Sequence, residues 1–185
     1  MSATVQTELH PCARCARLQR TCCQRAEVLV TLGDLDRIEA HRIEAQRASA
    51  AEPVPAGPFH ERRRPTDPDY LDDDPDDPLW RRATVAADGT RRVLRRRANG
   101  DCIFLGQAGC VLPGDVRPLV CRLYPFAFTE AGLVGEAADY CPTADLGVPA
   151  GSMAQRLGMR PGAAEAWRRA LYVELRAEVA QCAQG

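Results

Sequence analysis

The chain has 185 residues, a formal net charge of −1, 45% hydrophobic and only 5% aromatic residues, and 24 cationic side chains that are all Arg. Such a balance excludes a global field that would hold nucleic acid or an anionic membrane, and no stretch approaches the roughly 20 consecutive apolar residues a membrane helix needs. Residues 1–10 carry no apolar run and no small-residue cleavage site, so a cytoplasmic location is expected, where clustered cysteines bind metal or react more often than they form disulfides.

In chain order, the Val-rich residues 27–31 read as a short strand. Thr31-Leu32-Gly33-Asp34 then reads as a capping box, with Leu35, Ile38, Arg42 and Ile43 at helical spacing over residues 32–48. The apolar stripe is narrow, so this helix is expected on the surface of the core. Residues 49–78 form a Pro- and Asp-rich insertion with seven prolines and an acidic run at 72–77. Proline removes backbone donors and the carboxylates repel, so a disordered-like loop without a packed element is expected there; the prolines also break up the ligand spacing of a calcium loop.

Residues 83–87 and 90–95 flank Asp88-Gly89, a hairpin signal. Residues 102–105 read as a further strand-like piece, followed by a Gly-flanked loop, and residues 126–129 and 133–136 as a second small hairpin. Ser152 is placed to cap a short helix through residue 157, and Pro161 opens a final helix over about residues 163–180, where Trp167, Leu171, Leu175 and Val179 make one apolar face. The fold class expected is α+β: a small, irregular, cysteine- and metal-organised domain over residues 1–146, with short hairpins, one helix in its N-terminal half, and an appended C-terminal helical extension at 147–185.

Eight of the nine cysteines fall into two groups of four: Cys12, Cys15, Cys22 and Cys23, then Cys102, Cys110, Cys121 and Cys141. Four thiolates are what a tetrahedral zinc or an iron–sulfur cluster takes, and an all-thiolate set selects soft metals. Cys12-Ala13-Arg14-Cys15 presents two sulfurs from a short turn. Adjacent side chains of an extended segment point to opposite sides, so Cys22 and Cys23 do not suit one mononuclear ion; two centres or a polynuclear one remain open. Arg117 and Arg122 stand beside the ligands, where a guanidinium would favour thiolate and offset site charge, or else cap local carbonyls. Tyr124, Pro125 and Phe126 are expected to shield the centre from water.

These residues carry a resemblance. Cys12-x2-Cys15-x6-Cys22-Cys23, then Cys102-Ile103-Phe104-Leu105 with Cys110, then Arg117-Pro118-x2-Cys121-Arg122-x-Tyr124-Pro125-Phe126, and finally Cys141-Pro142 resemble the YkgJ-like cysteine-cluster family, a zinc- or iron-chelating domain. The match spans residues 11–143. The gap from Cys15 to Cys22 is longer than the C-x2-C-x2-C-C of compact members, and the Pro/Asp-rich insertion is long. The resemblance implies that the eight cysteines are the chelating set, with Cys182 a spare thiol. A related domain in flagellin lysine N-methylases is associated with an iron–sulfur cluster, which implies iron ahead of zinc.

Two functions follow as expectations. One is an iron–sulfur protein serving electron transfer or an oxidoreductase partner. The other is a zinc-stapled structural module that binds a partner protein, in which truncating the last helix would abolish complex formation but spare the metal. An enzyme is a third possibility: no dinucleotide fingerprint, P-loop or catalytic triad is present, but an iron cluster with an incomplete thiolate set could bind substrate at a free iron.

Overall fold

The computed structural model describes residues 22–48, 54–66, 71–136 and 153–182. In chain order these hold α1 (Cys22–Arg25), α2 (Leu32–Arg47), β1 (His60–Arg63), α3 (Pro78–Thr84), β2 (Arg91–Leu94), β3 (Leu105–Gly106), β4 (Gly109–Cys110), α4 (Leu119–Leu123), β5 (Phe126–Phe128), β6 (Leu133–Glu136), α5 (Met153–Arg156) and α6 (Pro161–Cys182). The class is α+β, with strands in three antiparallel pairs, β1–β2, β3–β4 and β5–β6.

The capping box forms as the sequence requires. The Thr31 side chain accepts the Asp34 N–H at 3.0 Å and the Asp34 carboxylate accepts the Thr31 N–H at 3.1 Å. Asp34, Ile38 and Arg42 recur every four residues and make the buried face of α2. Arg42 ends that face with its guanidinium 5.2 Å above the Phe59 ring. Gly33 sits in the first turn because the Glu174 carboxylate of α6 comes down upon it: a Cβ there would lie 2.6 Å from that carboxyl group.

Residues 27–31 do run extended, but as an isolated bridge, Leu29 opposite Val93, beside β2. On its other edge β2 pairs with β1, His60 against Leu94 through Arg63 against Arg91. This corrects the expectation that residues 49–78 hold no packed element. Phe59, 5% exposed, anchors the strand, and an apolar anchor outweighs the prolines on either side of it. Glu27 holds the far end, accepting from Thr66 and pairing with Arg63.

A second correction concerns residues 83–87. The Asp88-Gly89 turn is present, with Gly89 at φ +76 and Ala86 and Thr90 joined across it, but the strand before it shrinks to one bridge at Val85. The preceding residues are α3 instead. Pro78 occupies the first turn, where its missing N–H costs nothing, and Leu79, Trp80 and Ala83 turn one face to the core.

Two apolar cores result. One gathers Leu29, Leu79, Leu119, Leu123, Ala164, Leu171, Tyr172 and Leu175. The other gathers Val30, Ile38, Phe59, Leu94, Cys102, Phe104, Leu105 and Leu112. Leu29 and Val30 are neighbours on an extended segment and therefore enter opposite cores. Helix α6 runs from Pro161 to Cys182, two residues longer at each end than expected, and packs on α3, α4 and α2. The buried Tyr172 hydroxyl donates to the buried Asp77 carboxylate, and Trp80 and Phe128 meet the Tyr172 ring at 6.3 and 6.4 Å. Among the described residues, no helix is long and apolar enough to cross a membrane.

Candidate metal centre

Five of the eight proposed ligands lie in the described residues; Cys12, Cys15 and Cys141 lie outside them. Cys22 and Cys23 open the one-turn helix α1. Cys102 stands opposite Arg96 in a β-bridge, and its backbone N–H donates to the Cys23 carbonyl at 2.6 Å. Cys110 ends β4, paired with Leu105 across the tight turn at residues 106–109. Cys121 sits in the middle of α4. Cys23, Cys102 and Cys110 belong to the core built around Phe104, whereas α4 places Leu119 and Leu123 in the other core. Cys121 is thus carried on the wall between the two. Cys182 is exposed at the end of α6.

The thiols feel one another. Burial, then the Cys23 charge, pushes Cys102 up to about 12, and Cys110 adds to this. Burial also raises Cys110, with Cys23 adding to it and Arg117 opposing. Cys121 is pushed well above the ordinary thiol range by burial and then by Cys23, Cys102 and Cys110. Without metal these sulfurs are therefore held as neutral thiols, and loading them with metal must expel protons.

The two arginines singled out in the sequence have different surroundings. Arg117 donates from Nε to the Leu112 carbonyl at 3.0 Å, and its charge near Cys110 favours the thiolate there. Arg122 donates from Nε to the Arg117 carbonyl at 2.6 Å and from Nη2 to the Asp115 carbonyl, tying the loop that leads into α4.

Two residues that sequence reasoning passed over frame the group. Asp34, read only as half of a capping box, is fully buried, and its Oδ1 accepts the Leu119 N–H at 3.0 Å and Arg37 Nη2 at 2.6 Å. Pro118 gives α4 no side-chain cap, so a carboxylate 85 residues upstream supplies one. Arg96 belongs to the run Arg95–Arg97, which resembles a solvated charge run, yet it is half-buried while its two neighbours are exposed. Its Nη1 donates to the carbonyls of Gln24 at 2.6 Å and Gly100 at 3.3 Å, and its Nη2 to that of Ala26. Neither link has a sequence signature, because both join segments far apart in the chain.

As a donor set, thiols from separate segments, Cys102 buried and Cys22, Cys23, Cys110 and Cys121 half-buried, fit a soft metal ion or cluster. Among the described residues, no three His, Cys, Asp or Glu side chains are grouped so as to hold a metal ion by themselves. Any centre built on the described cysteines therefore draws on further donors or on a closer approach of these thiols.

No curated protein and no solved structure matches the chain. A family model does match, over residues 11–142, and its description is CxxCxxCC, "Putative zinc- or iron-chelating domain". That span takes in all eight clustered cysteines and most of the chain; the chain belongs to this family.

Proposed function

We propose that the protein is an iron–sulfur protein whose eight cysteines, Cys12, Cys15, Cys22, Cys23, Cys102, Cys110, Cys121 and Cys141, hold the metal centre, and that it serves electron transfer or an oxidoreductase partner. The observation that carries this reading is that Cys23, Cys102 and Cys110, from three separate segments, pack into or against one apolar core, with the Cys102 N–H bonded to the Cys23 carbonyl. An iron–sulfur centre supplies one-electron chemistry when bound. The chain's own contributions are the thiolates and the positive charge of Arg117 beside Cys110. Arg122, next to Cys121 in α4, ties down the loop that leads into that helix.

Iron, zinc and acid-labile sulfide measured on one anaerobically purified sample test the proposal. A brown protein with stoichiometric iron and sulfide is expected; a colourless protein with stoichiometric zinc overturns it. Cys121→Ser should lower metal content and Cys182→Ser should leave it unchanged, as read by metal analysis of each variant. Metal loss on replacing Cys182 would overturn the ligand set.

One observation favours a second reading, zinc as a structural staple for a partner-binding module. Cys23, Cys102 and Cys110 are woven into an apolar core, so metal held there would add directly to folding free energy. The zinc outcome of the same measurement selects it.

A further inference from the structure

The two cysteine groups are nearly eighty residues apart, yet the fold brings the Cys23 and Cys102 backbones together. The backbone bond between them accounts for part of this. The Arg96 guanidinium accounts for another part. Helix α1 is a single turn, too short to persist on its own, and its last carbonyls have no intrahelical donors. Arg96 takes the carbonyls of Gln24 and Ala26 there, and with the same fork takes Gly100, two residues before Cys102. Gly100 has φ +88 within the tight turn closed by Arg97 and Asp101, so this third carbonyl belongs to a fixed loop. One planar side chain therefore clasps the segment that follows Cys22-Cys23 to the turn that precedes Cys102.

Resting on the chelation reading above, we infer that Arg96 is a positioning residue for the metal centre: its three-carbonyl clasp seats Cys23 beside Cys102 and so joins the N-terminal cysteine group to the C-terminal one. The role depends on the fork and not on charge alone. Lysine, a single point of donation on a flexible stem, cannot hold carbonyls from two segments in one plane.

The test is anaerobic cobalt(II) titration of the full-length protein, followed by thiolate-to-cobalt charge-transfer absorbance, for wild type, Arg96→Ala, Arg96→Lys, Cys23→Ser and the Arg96→Ala/Cys23→Ser double variant. Arg96→Ala should weaken cobalt binding by about 10- to 100-fold, the usual effect of losing a residue that orients a ligand. Charge-transfer intensity per bound cobalt should fall toward that of Cys23→Ser, and Arg96→Lys should not restore it. The double variant should bind much as Cys23→Ser does, because the ligand that the clasp seats beside Cys102 is already gone; a general loss of fold would instead add to the Cys23 effect. Circular dichroism of each apo variant checks the fold, and Arg96→Gln, which keeps one amide donor, replaces Arg96→Ala if the latter does not fold. Wild-type affinity in Arg96→Ala, full rescue by lysine, or additivity in the double variant overturns the inference. Absence of cobalt binding by the wild type overturns the chelation reading and this one with it.

Discussion

Asp34→Ala should destabilise the protein by about 3–5 kcal/mol, the range for removing one partner of a buried ionic network. The carboxylate accepts the N–H groups of Thr31 and Leu119 and the guanidinium of Arg37, which passes on to Glu174 of α6 at 2.6 Å. Deleting it removes half of the α2 capping box and the side-chain acceptor at the start of α4, and leaves two buried N–H groups without these acceptors, against a total stability of about 5–15 kcal/mol for an ordinary domain. Urea denaturation of the apo protein measures the loss. Asp34→Asn retains an amide oxygen for Leu119 and should lose less.

A pH series separates charge from geometry. Burial, the largest influence, raises the Asp34 carboxyl above its ordinary 3.8 although every hydrogen bond opposes the shift. A raised folded-state pKa means that the fold prefers the protonated group. Its contribution is then full below pH 3.8 and declines as pH rises through the folded value. Asp34→Asn should remove that decline from the stability profile.

Deleting residues 161–185 should abolish folding, and metal content with it. Leu171, Tyr172 and Leu175 are 0–2% exposed and lie in the same core as Leu119 and Leu123, the residues flanking Cys121. Burying each such side chain contributes about 1.5–3 kcal/mol, so the three together approach the stability of a whole domain. Glu174 and Glu178 go as well, and with them the acceptors for Thr31, Arg37, Leu32 and Arg92. The outcome runs against the sequence-based expectation that this helix can be removed with the metal spared. Size-exclusion behaviour, circular dichroism and metal analysis of the truncated chain decide it; a folded, metal-loaded truncation would show that α6 is dispensable.

What the sequence made legible followed local rules. The capping box at Thr31 and Asp34, Gly89 in its turn, Pro161 opening α6 and the Phe126–Glu136 hairpin all depend on residues a few positions apart. The fold class and the family were legible as well, the latter because eight cysteines at these spacings are specific only in combination. The illegible parts depend on distant partners. β1 exists because Phe59 finds the Phe104 core, and α3 replaces a strand because Leu79 and Trp80 find α6. Asp34 capping α4 and Arg96 clasping α1 join residues 85 and about 70 positions apart, and no periodicity announces such a link.

The adjacency of Leu29 and Val30 has a consequence for how this family's members can differ. Because these neighbours feed opposite cores, the segment can exchange one branched residue for another with little penalty, but its length is constrained. Removing a single residue between Cys23 and Thr31 would reverse which side chain faces which core. It would also displace the cysteine pair by one position against the turn at Gly100. Natural variation should therefore collect in loops such as the Pro/Asp-rich stretch, while the spacing between the paired cysteines and α2 is held.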